Sequence, residues 1–187
     1  MLRIFHRLKD DDRPHLFEVL TLGGSRRRAW WRDMQSPDMF VCPDSSVVVD
    51  GVVYLLRNGV YNGMAALPSA GIVVPPADCV ASFDLEREEW RKRLQGPISM
   101  GYDDDEDSND ELHLLDHRWC QFALAELKGS LVLVHYLYMT HLWILTDFER
   151  GVWVKEYSIV VNSILLPYLR HLKPLFVLDD GRLVVRP

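Results

Sequence analysis

Short apolar runs of about five residues, each closed by a turn that carries glycine, recur along this chain, and that period belongs to β-strands rather than helices. Ser46 to Val49 and Val52 to Leu56 are apolar and β-branched, and Asp50-Gly51 between them supplies the positive φ angles of a type I′ turn. These residues predict a hairpin. Leu124 to Leu127 and Ser130 to His135 flank Lys128-Gly129 in the same way, and Leu175 to Leu178 and Arg182 to Val185 flank Asp179-Asp180-Gly181. Gly51, Gly129 and Gly181 are therefore structural turn residues. Several strands are apolar on both faces, Leu142, Trp143, Ile144 and Leu145 being consecutive. A sheet covered on both sides by other sheets has that pattern.

A second repeat lies between the hairpins. FDLEREEW, from Phe83 to Trp90, aligns with TDFERGVW, from Thr146 to Trp153, at an offset of 63 residues. Alone, Leu85 to Leu94 has the composition of a helix. The second copy argues otherwise, because Gly151 interrupts it and Val152, Trp153 and Val154 follow as a strand. Strand, four-residue turn and strand is the expectation for both copies. A degenerate third copy starts the chain, with Phe17 to Leu22 as one strand and Trp30, Trp31 and Arg32 opening the next.

Together the two repeats define a unit of four strands whose last strand opens with Trp. A period of about 50 to 60 residues with that content is the pattern of a β-propeller blade. The fold class expected is all-β, a partial propeller of about three to four antiparallel blades. The turn glycines are 78 and 52 residues apart, and the extra length falls in an acidic insertion loop at residues 101–112.

With 187 residues the chain fits one domain, expected at residues 17–187 behind an N-terminal extension at 1–16. At 48% hydrophobic and 26% charged residues it can bury a core. The net charge of −6 is local: seven acidic residues lie between Asp103 and Glu111, and the rest of the chain carries +1. That balance argues against a nucleic-acid partner, which a positive field would attract. Cys42, Cys79 and Cys120 are odd in number and widely spaced, a poor disulfide framework that favours a reducing compartment. Charge interrupts the first sixteen residues, so no signal-peptide segment is evident there. Gly129 to Thr146 lacks Asp (before Asp147), Glu, Lys and Arg, but Ser130, His135, Thr140 and His141 divide it into strands, so no membrane partner is expected. A cytoplasmic or nuclear location is the expectation.

The segments SVVVDGVVYLL, ASFDLEREEWRKRLQGP, LAELKGSLVLV, HLWILTDFERGVWVKEYSI and KPLFVLDDGRLVV resemble the F-box-associated interaction domain of plant F-box proteins, a kelch-like propeller. The resemblance covers roughly Phe17 to Val185 and rests most on WVKEYSI, from Trp153 to Ile159, and on the FDLEREEW segment. It implies that Phe83 with Trp90, and Trp143 with Trp153, pack between adjacent sheets as structural residues. It also implies capture of a protein substrate for an SCF ubiquitin ligase, with no catalysis and no cofactor. Two departures qualify it: Leu55-Leu56-Arg57-Asn58-Gly59 stands where kelch blades carry paired glycines, and no F-box precedes Phe17. Docking to the Skp adaptor therefore needs an F-box supplied elsewhere. An open arc of blades leaves its end sheets uncovered, so poor solubility, self-association through open blade edges or a shortened gene product is expected. One alternative is a truncated, ligase-incompetent decoy or non-functional member of that family. Another is a small metal-dependent all-β enzyme.

The enzyme alternative has little chemistry behind it. His113, His117 and Cys120 have helical zinc-ligand spacing, but no fourth ligand is evident and the segment reads as the approach to a strand. Asp103, Asp105 and Asp107 have calcium-loop spacing, yet Ser108 stands where glycine is needed and Leu114 where a bidentate Glu belongs. Gly23-Gly24-Ser25 before Arg26, Arg27 and Arg28 lacks the GK[ST] of a phosphate loop. For binding, Tyr136, Tyr138, Met139 and His141 lie between two strands, where exposed aromatic and Met side chains would suit a protein partner. The competing reading is that they finish the strands and pack against a neighbouring blade.

Overall fold

The structure is a computed structural model that describes residues 2–6, 15–21, 30–58, 76, 78–100, 122–136, 139–160, 173–177 and 183–186. Among these residues the chain is all-β, with one turn of 3-10 helix at Pro43–Ser45. Strands β1 (Leu2–His6), β2 (His15–Thr21) and β3 (Trp30–Met34) form a first antiparallel sheet in that order. Strand β1 lies within the stretch read from sequence as an extension, and it pairs with β2 from Leu2 opposite Val19 to His6 opposite His15. A second sheet runs β4 (Val47–Val49), β5 (Val52–Leu56), β6 (Val80–Asp84) and β7 (Glu89–Trp90). A third repeats that order with β8 (Phe122–Leu127), β9 (Ser130–Tyr136), β10 (Met139–Asp147) and β11 (Val152–Val160). Strands β12 (Lys173–Val177) and β13 (Leu183–Arg186) make a final pair.

Local chemistry accounts for the turns. Asp50 and Gly51 have φ of 47° and 74°, and Lys128 and Gly129 have 52° and 77°. Both two-residue turns thus have the sign of φ that matches the twist of paired strands. Gly181 lies outside the described residues. The Asp shared by the second repeat has a direct role: Asp84 Oδ1 accepts the backbone N–H groups of Glu86 and Arg87, each at 3.0 Å, and Asp147 Oδ1 accepts that of Arg150 at 3.0 Å. Each carboxylate replaces a backbone acceptor and closes its turn. Those hydrogen bonds, that of Arg87 first, hold the Asp84 carboxyl below its ordinary range. Residues 85–88 are accordingly a turn between two strands and not part of a helix.

The sheets stack face to face. On one side of the second sheet, Val53, Leu55, Cys79, Ala81 and Phe83 meet Phe17 and Val19 of the first, with Leu2, Ile4 and Met34 at the margin. On the other, Val49, Val52, Tyr54, Leu56 and Val80 meet Leu124, Leu131, Leu133, Trp143 and Trp153 of the third. The far face of the third sheet buries Ala125, Leu127, Val132, Val134 and Leu142. This sandwiching explains why the strands are apolar on both faces, since each fully buried Val, Leu or Phe contributes about 1.5–3 kcal/mol. The leading strands of the units lie near one another, with β4 and β12 each close to β8.

Candidate interaction surface

Each stacked seam carries the same indole clasp. Trp90 Nε1 donates to the Gln35 carbonyl at 2.6 Å, and Trp153 Nε1 donates to the Gln95 carbonyl at 2.9 Å. Gln35 follows β3, the last strand of the first sheet, and Gln95 follows the stretch that leaves β7. The tryptophan that is the second residue of the last strand of one sheet therefore binds the chain as it leaves the sheet before. Trp90 also sets its ring edge-on to Phe17 across the seam at 5.1 Å and to Phe83 beside it at 5.0 Å. Phe83 pairs directly with Trp90, whereas Leu145 is the partner opposite Trp153. Thr146 is the added residue that shifts the register there. Trp143 is buried beside Trp153 in the seam, with Lys155 Nζ 5.0 Å from its ring centre.

Sequence reasoning identified the tryptophans but missed their acceptors. A signal was present: Gln35-Ser36-Pro37 recurs as Gln95-Gly96-Pro97. Glycine at the second copy has a steric cause, because a Cβ on Gly96 would lie 2.5 Å from Asp78 Oδ2. Asp78 is buried there and accepts the Ser99 backbone N–H at 2.9 Å.

The residues singled out for binding divide between the two faces of the third sheet. Tyr136 ends β9 opposite Thr140 and packs at the margin of the far-face core, where burial pushes its hydroxyl pKa up to about 12. His141 lies on the other face, 4% exposed, with Nδ1 and Ser158 Oγ at 3.0 Å. Met139 is 38% exposed and sits directly opposite Val160, which is 79% exposed. Tyr138 lies outside the described residues. Among the described residues of this set the exposed one is Met139, which forms a corner with Val160, a residue outside the set; Tyr136 and His141 face inward.

Behind that corner runs a row that the sequence reading did not assemble. Phe122, His135, His141 and Ser158 are successive partners across β8 to β11. Phe122 stacks on His135 at 4.7 Å, and the two imidazoles are 6.4 Å apart. The row places two hydrogen-bonding rings next to the exposed corner. Among the described residues no group of three or more His, Cys, Asp or Glu is arranged to hold a metal ion. His113, His117, Cys120, the acidic loop and the Gly23 to Arg28 segment lie outside the described residues. Counting from the turn glycines, His135 occupies the place that Arg57 holds in the second sheet, six residues on in each case. Both are buried.

Cys79 faces the first seam, and burial pushes its thiol up to about 11. Cys42 pairs through its backbone with Leu56, while Cys79 receives the Arg57 N–H, so a strand separates the two thiols. Two strand spacings amount to about 9–10 Å, beyond disulfide reach. Among the described residues no helix is long and apolar enough to cross a membrane. Compared with known proteins, the chain matches no family model and no curated protein.

Proposed function

We propose that the chain is a protein-recognition module built as an open, kelch-like arc of propeller blades, of the kind that F-box-associated domains use to capture a ligase substrate. The observation that carries this reading is the repeated seam: two four-stranded meanders of the same order, each clasped to its predecessor by a Trp indole. Proximity of the leading strands β4, β8 and β12 supports a radial arrangement of the units, as blades have about an axis. Fold alone does not assign a task, so the functional part rests on the sequence resemblance and on the exposed Met139 and Val160 corner. An apolar corner beside buried polar groups suits a partner that inserts an apolar side chain. The module supplies recognition, and the Skp adaptor joins only through an F-box supplied elsewhere.

The test is affinity capture from a cell extract with the wild-type chain and with a Met139→Ala/Val160→Ala variant of unchanged circular dichroism. Quantitative mass spectrometry is expected to show a discrete set of proteins lost with the variant. Capture that is identical for both chains would overturn the surface assignment. In parallel, calorimetry with purified Skp adaptor is expected to give no heat of binding, and a saturable titration would refute the stated need for a separate F-box.

A further inference from the structure

We draw no further inference here: the strongest candidate, the apolar corner that Met139 and Val160 form at the paired ends of β10 and β11, belongs to the site already described, and nothing in the structure shows what covers it.

Discussion

The two seams share one clasp and differ in how deeply it is buried and in the charges beside it. Between the first and second sheets, Trp90 is only half-buried, and ion pairs cross the seam: Arg32 with Glu88, and Arg93 with Asp38 at 3.2 Å. Between the second and third, Trp153 is buried, and Arg91, the residue after Trp90, lies 4.4 Å above the Phe148 ring. Phe148 in turn meets Tyr54 edge-on at 6.4 Å, and Tyr54 is buried enough to raise its hydroxyl pKa. The same donor and acceptor therefore do not mean equal stabilisation. A donor–acceptor pair gains about 1 kcal/mol net, whereas burying the indole that carries the donor contributes several times as much.

The largest separation between the seams is expected from removing the rings. Trp153→Ala should cost about 3–5 kcal/mol in urea unfolding, the range for a large buried aromatic, and Trp90→Ala clearly less because part of its ring is already wet. Equal losses would erase the distinction. Trp153→Phe keeps most of the packing and leaves the Gln95 carbonyl without its donor, so its cost should be about 1–3 kcal/mol.

Gly96→Ala comes next. Its Cβ meets the buried Asp78 carboxylate, and overpacking of this kind costs about 1–3 kcal/mol. Combining it with Asp78→Gly should recover part of that loss in the double-mutant cycle, since the Asp78 Cβ and carboxylate that obstruct the new methyl are then both gone. Strict additivity would show that the clash is relieved elsewhere.

Alanine at the turn glycines should cost about 1–2 kcal/mol each, purely for the positive φ. Gly51 and Gly129 have no atom within 4 Å of the added Cβ, so the two losses should match despite their different sheets. A marked difference in thermal unfolding would mean that the turns are not equivalent.

The smallest effect is expected at the ion pairs. Glu88→Gln should lose only about 0.2–1 kcal/mol, and the loss should fade in 1 M salt, where the Debye length falls to about 3 Å and the attraction between solvent-exposed charges is weakened. Trp153→Phe, in the buried seam, should lose stability equally at low and high salt. A salt-dependent Trp153→Phe loss would contradict the contrast drawn between the seams.

Much of this fold was legible because its signals are local. Asp50-Gly51 and Lys128-Gly129 dictate a turn within four residues of chain, and the paired copies around Asp84 and Asp147 settled a segment whose own propensity favoured a helix. Strand β1 was missed because its pairing with β2 is a contact between segments, and charges around it masked its short alternation. The candidate binding residues were legible as a cluster in sequence but not as a surface. Alternation along β9 and β10 sends Tyr136 to one face and His141 to the other, and only the pairing of Met139 with Val160 marks the exposed corner.

By itself, then, the sequence determined the strands of the second and third sheets, the turns at Asp50-Gly51 and Lys128-Gly129 and the tryptophan in the last strand of each of those sheets, because each depends on backbone preferences of adjacent residues. The stacked structure decided what those tryptophans hold. Their acceptors are main-chain carbonyls, which every residue possesses, so only the recurrence of Gln-x-Pro at Gln35 and Gln95 points to them. The close passage of Gly96 against Asp78 was likewise decided by tertiary contact, and the bulges at Thr146 and Glu156 by the pairing of β10 with β11.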